Sequence, residues 1–282
     1  MQVENVGEQL LEILQKNVAV ESNKWLMDKI TGICADKSTK QLYLTYSLIG
    51  SKIVANQRIE IPGESALNEY LSMQGATCTQ IARIYLLIRV LNFDHQFFSP
   101  KVANIIQVAD TGELETFLKF LILLPRPEDY VATAVDALRT NISTVFNAIA
   151  YHNPYPARFF NEQQWNQMYL KTAFMQGDLS ALAQIDKRAN AELARIIADY
   201  AHERWAASRD IDPYFWRPVS RFLDEALLED MKRLLSSENS KENAAGALCC
   251  FYSGNPSAKA LLDDYQDLTI QIEEKKLSWN TL

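Results

Sequence analysis

Apolar residues recur at three- and four-residue spacing along almost the whole chain, which is the signature of amphipathic helices. The pattern predicts helices over 3–16, 24–34 and 40–51, the last capped near Ser38 or Thr39, and then over 64–72 and 77–92. In 77–92, Ile81, Ile84, Tyr85, Ile88 and Leu91 share one face, with Arg83 and Arg89 elsewhere. A turn or short extended piece is expected over 57–62. Helices follow over 100–109 and 114–124, the second opened by Asp110 or Thr111 with Glu113 in capping-box position. That segment is apolar nearly all round after Phe117, so it belongs in the centre, and Pro125 and Pro127 end it.

The second half continues in kind. Helices are expected over 128–139, 142–151, 162–175 (capped by Asn161), 191–208 (capped by Asn190), 213–217 and 222–235. In 142–151 the buried stripe is Ile142, Val145, Phe146 and Ile149. A last pair, 241–251 and 256–265, carries the small residues Ala244, Ala245, Gly246 and Ala247 followed by Ala258 and Ala260, the small-residue face of HEAT-type repeats. Residues 269–272 alternate, and read as a short strand or a fraying helix. No fixed period runs through the rest. The fold expected is all-α: an irregular helical-repeat, α-solenoid-like array of antiparallel helices with a HEAT-like C-terminal pair. An N-terminal helical region, 1–137, and a C-terminal one, 138–282, are read as one continuous helical body.

Composition agrees with that reading. Glycine and proline number 9 each in 282 residues, too few for a Gly-rich βα-loop fold or a turn-rich sandwich. The net charge of −7 disfavours nucleic acid, whose binding depends on neutralising phosphates. Yet 139–221 holds 10 basic and 8 acidic residues, so that segment is at +2 and the rest at −9, which leaves an anionic small ligand open. Cys34, Cys78, Cys249 and Cys250 lack metal or redox spacing and read as buried hydrophobes of a reducing compartment. The first residues, acidic and amphipathic, do not read as a secretory leader, and no apolar run reaches the ~20 residues that span a bilayer. A cytoplasmic protein is expected.

The chemistry concentrates between Arg139 and Lys171 and again in 188–205. His152, Asn153, Pro154, Tyr155, Pro156 and Arg158 form a proline-stiffened loop, with Asn147 and Tyr151 before it and Trp165, Asn166 and Lys171 on the next helix. Flat apolar faces beside a few polar tips suit a ligand pocket, or a loop packed onto the body by its own aromatics. In 191–208, Arg204 falls on the stripe of Leu193, Ile196, Ile197, Tyr200, Ala201 and Trp205, so its guanidinium needs a carboxylate, carbonyls or an anionic ligand. Asp199, His202 and Glu203 lie at i, i+3 and i+4, which could begin a metal site or form a solvated face; a second HExxH histidine is missing. No cofactor is expected. The candidate ligand- or partner-binding residues are Asn147, His152, Asn153, Tyr155, Arg158, Trp165, Asn166, Lys171 and Arg204. His152, His202 and Glu203 are the only acid/base candidates, and no nucleophile is placed beside them.

The run LRTNISTVFNAIAYHNPYPARFFNEQQWNQMYLKTAF, with DKRANAELARIIADYAHERWAASRDIDPYFWRPVSRF after it, resembles the EboA family of bacterial proteins. The resemblance is close over 138–222 and looser elsewhere. It maps the family motif onto Arg139, Asn141, Asn147, Asn153, Pro154, Tyr155, Pro156, Trp165, Asn166, Lys171, Arg188, Asn190, Tyr200, His202, Glu203, Arg204 and Trp205. It implies a component of the ebo gene cluster, a system linked to traffic of secondary-metabolite precursors toward the cell envelope. A non-catalytic carrier or adaptor then follows, with an anionic small metabolite, other ebo-cluster proteins, or both as partners. Two alternatives stand beside it: an enzyme acting on an anionic prenylated or aromatic metabolite through His152 or His202, and a purely structural docking module.

Overall fold

A computed structural model describes residues 5–53, 59–61 and 63–282. Among them every regular element is an α-helix or a 3-10 helix, and no strand forms. None of these helices is long and apolar enough to cross a membrane. Apart from 59–61, the turn expected over 57–62 lies outside the described residues, as do residues 3 and 4 of the first expected helix. The chain packs as two compact units, Met1–Phe160 and Asn161–Leu282.

The first unit contains α1 (Val6–Asn17), α2 (Val20–Asp36), α3 (Thr39–Lys52), α4 (Ala66–Met73) and α5 (Cys78–Phe93). It continues with α6 (His95–Ala103), α7 (Thr111–Phe120), α8 (Val131–Ala137), α9 (Ser143–Ala150) and α10 (Pro154–Phe159). Helix α5 is the centre. A capping box of Thr77 and Gln80 starts it, and α1, α2, α3, α6 and α7 cover it. It is therefore buried on every side, not along one face. Arg83 goes in with it, only 8% exposed. Its guanidinium lies 3.4 Å from Glu113, donates to the Tyr46 carbonyl at 3.2 Å and sits over the Tyr46 ring. Desolvating a charge this far costs several kcal/mol unless it is paired. Glu113 pairs it while also closing the capping box with Asp110 that starts α7.

Local sequence explains most departures from the expected boundaries. Asp94 accepts from the Phe97 N–H and starts α6 at His95, so Pro100 lies inside the helix and not at its beginning. The expected 128–139 helix divides into a 3-10 turn, Pro127–Tyr130, and α8. Ile142 is 50% exposed, out of the predicted stripe, because it is the extended residue preceding α9 and does not follow the helical period. Val145, Phe146 and Ile149 are buried as the pattern requires.

The second unit holds α11 (Glu162–Phe174), α12 (Ile185–Arg188), α13 (Ala191–Ala206), α14 (Glu225–Leu235), α15 (Ser240–Tyr252), α16 (Pro256–Ala260) and α17 (Gln266–Glu273). Residues 269–272 are thus helical. Asn161 with Gln164 forms a capping box on α11, Asn190 caps α13, and Asp224 starts α14 at Glu225. Between α13 and α14 runs a 3-10 helix, Pro213–Arg221, longer than the expected 213–217. It packs on α13 and α15 and buries Phe215, Trp216 and Val219. The small residues of α15 allow a close approach to α14: a Cβ on Gly246 would stand 3.0 Å from the Leu234 Cβ. All four cysteines are free and buried. Burial pushes the Cys250 thiol up to about 12.

Candidate functional site

The loop after α9 is built as a clamp. His152 takes a left-handed conformation, φ 50°, which turns the chain so that its carbonyl meets the Gln74 amide at 2.9 Å and its ring stays exposed. Asn153, extended as a residue before proline should be, is 1% exposed. Its amide donates to the Leu118 and Ala148 carbonyls, each at 3.0 Å, and its Oδ1 caps α10 through the Tyr155 N–H. Pro154 then occupies the first helical position, where a missing N–H costs nothing. Tyr155 is fully buried, with its hydroxyl on the Pro127 carbonyl at 2.7 Å, and burial pushes its phenol well above the ordinary range. Asn147 is half-buried. Arg158 is exposed, lies over the Phe159 ring and helps line a cavity of about 460 Å³ with Arg89, Asn92 and the first turn of α1.

In the second unit, Trp165 is 1% exposed, and its indole N–H finds no acceptor among the described residues. The Arg188 guanidinium covers its ring at 5.4 Å and donates to the Asn161 carbonyl. Asn166 exchanges two side-chain hydrogen bonds with Asn190, at 2.9 and 3.2 Å, which ties α11 to the start of α13. Lys171 is half-buried, and desolvation lowers its pKa.

Helix α13 sorts its polar residues by face. Arg204 reaches carbonyls, one of the three partner types its position demanded: Nε and a terminal nitrogen donate to the Asp210 carbonyl at 3.1 and 2.6 Å. Asp199 pairs with Arg195 at 2.7 Å, and Arg195 also pairs with Glu192. His202 meets the buried Asp230 at 2.7 Å. Asp199 and His202 therefore point to different partners, and no group of three His, Cys, Asp or Glu among the described residues could hold a metal.

A cleft of about 670 Å³ opens where α11 ends. Phe174, 64% exposed, forms one wall with Tyr200 of α13 and Phe215 of the 3-10 helix. The rings meet edge to face, Phe174–Tyr200 at 5.0 Å and Tyr200–Phe215 at 5.2 Å, a geometry that suits their quadrupoles. Arg204, Arg209 and Asp210 provide the polar side. Left-handed Ser208 turns the chain out of α13, and the Arg209 N–H closes back on the Arg204 carbonyl at 2.9 Å. The volume falls within the usual range for small-molecule sites.

Of the residues singled out from sequence, the cleft gathers Arg204. Asn153, Tyr155, Trp165 and Asn166 are committed to the interior. Phe174, Phe215 and Arg209 were not singled out. An exposed phenylalanine just before Met-Gln-Gly was the available signal for the first, because a helix end that leaves an aromatic uncovered presents it to something else.

The family model described as "Metabolite traffic protein EboA" matches residues 6–220 of the chain. No curated protein and no solved structure matches it.

Proposed function

Because the chain belongs to the EboA family of metabolite traffic proteins, we propose that it is a non-catalytic carrier which holds a small amphipathic metabolite in the cleft of Phe174, Tyr200, Phe215 and Arg204. The observation that carries this reading is the exposed Phe174 ring in that cleft, beside half-buried Tyr200 and buried Phe215. An apolar ring left in water is a cost to the free protein, and a flat apolar ligand removes it. A non-catalytic role is supported by the placement of a candidate acid/base group. His202 does not line the cleft, and the Arg204 guanidinium is held by a carbonyl.

A thermal-shift screen with flat amphipathic metabolites tests the proposal. Ligands that raise the Tm of the wild type are expected to lose that effect in Phe174→Asp, which places a charge on the apolar wall while leaving the buried core intact. Ligand shifts that are the same in both proteins would remove the cleft from the account.

A further inference from the structure

A second cleft, about 370 Å³, is bordered by the later residues of the 213–221 helix, and its lining includes Asp186, Arg217, Ser220, Arg221, Tyr252 and Trp279. Several of its parts are fixed before any ligand arrives. The Arg217 guanidinium is held by both oxygens of Asp186, at 2.7 and 2.5 Å, and by the Tyr214 hydroxyl. Burial opposes its charge, but those bonds outweigh burial and hold its pKa above the ordinary value. Trp279, 7% exposed, returns from the C-terminal segment to pack edge to face on Tyr214 at 5.7 Å. Ser220 is buried and donates to the Arg217 carbonyl.

Two features of this ordered frame stand open to solvent, Arg221 and the Tyr252 ring, whose edge-to-face contact with Phe251 at 5.3 Å leaves it partly uncovered. Arg217 and Asp186 cancel in charge, whereas the exposed Arg221 has no hydrogen-bonding or ionic partner among the described residues. Tyr252 presents its ring to water, 52% exposed, at the same cleft. The result is one uncompensated cation beside aromatic surface, on a chain whose net charge is −7. A guanidinium is a planar fork that matches carboxylate or phosphate oxygens, and an exposed tyrosine ring offers a face to a flat group.

We infer that this cleft is a second, separate binding site, for a small aryl anion: a flat ring on Tyr252 and a carboxylate or phosphate on Arg221. Arg221, Tyr252 and Trp279 lie outside the segment matched by the family model. The two residues assigned to the ligand therefore lie beyond the matched segment, while Asp186, Arg217 and Ser220 of the same cleft lie within it. The site stands independently of the first cleft.

Saturation-transfer NMR titrations of the full chain with benzoate, phenyl phosphate, inorganic phosphate and benzyl alcohol test it. Benzoate, phenyl phosphate or both should bind at least about tenfold more tightly than either benzyl alcohol or inorganic phosphate, since each of those lacks one half of the recognised group. Which of the two aryl anions binds more tightly identifies the anionic group. Arg221→Ala should abolish that advantage over benzyl alcohol, Arg221→Lys should restore part of it, and Phe174→Asp in the first cleft should leave it unchanged. Arg221 is exposed, so its replacement leaves the fold intact. Absence of binding, equal binding of the alcohol, equal binding of inorganic phosphate, or an unchanged affinity in Arg221→Ala would each overturn the inference.

Discussion

Asp230 shows how a single residue can carry strain that the sequence does not advertise. It lies 6% exposed on α14, with one oxygen on the His202 ring and the other buried without a partner. Burial raises its pKa, and the hydrogen bond from His202 offsets part of that rise. A carboxyl whose folded pKa exceeds its unfolded value favours folding when protonated. That contribution is complete below the ordinary carboxyl value of 3.8 and is lost as pH climbs through the raised one. Asp230→Asn keeps an acceptor for His202 and removes the buried charge. Its Tm at neutral pH should equal or exceed that of the wild type, and the difference should shrink as pH falls to about 4. Melting curves across that range would check this; a variant destabilised at neutral pH would show that the ion pair outweighs the burial. Residue-level chemistry was legible where it depends on neighbours in sequence. Asn153 before Pro154, the Asp110 and Glu113 box and the Asn161 and Asn190 caps all formed as their spacing requires. Arg83 and Asp230 were not legible, because their partners Glu113 and His202 lie 30 and 28 residues away.

Among the elements, α15 depends most directly on one side chain being absent. A methyl group at Gly246 would meet the Leu234 Cβ at 3.0 Å and the Leu235 backbone nitrogen at 3.3 Å. A backbone neighbour cannot swing aside, so α14 and α15 would have to separate. Overpacking of this kind costs about 1–3 kcal/mol, against roughly 1 kcal/mol gained in helix propensity. Gly246→Ala is therefore expected to be neutral to destabilising by about 2 kcal/mol in denaturant unfolding; a clear stabilisation would mean that the two helices have room to part. The small-residue run that marks this contact was visible in the sequence, but the elements packed most extensively on α15 proved to be the 213–221 helix and α14, more than the α16 that follows it. Other elements were visible only in outline. Helix α5 showed one apolar face in the pattern but is covered from five directions, and a periodicity reports the residues that must be buried without limiting how many others are. The 3-10 helix Pro213–Arg221 outruns its expected end because buried Trp216, Pro218 and Val219 hold it against its neighbours.

At the scale of the molecule, the charge asymmetry and the aromatic density of 139–221 marked out a stretch of sequence without resolving which of its aromatics are buried. Tyr155 and Trp165, open in the sequence to a reading as ligand faces or as packing of their own segment, are core. Phe174, at the end of the same α11 that buries Trp165, is the aromatic left in water. Composition cannot separate these two roles, since both need a flat apolar side chain; only the helix end decides which one is covered. Tyr200 and Phe215 join Phe174 from α13 and from the 213–221 helix, and no local pattern announces that meeting. The central claim is that the protein carries a bound metabolite on this wall. Native mass spectrometry of the protein gently purified from its own cells tests it most directly. A reproducible small mass increment on the wild type, absent from Phe174→Asp purified in the same way, is the predicted result. Bare wild-type protein, or an increment that the variant retains, would contradict the claim.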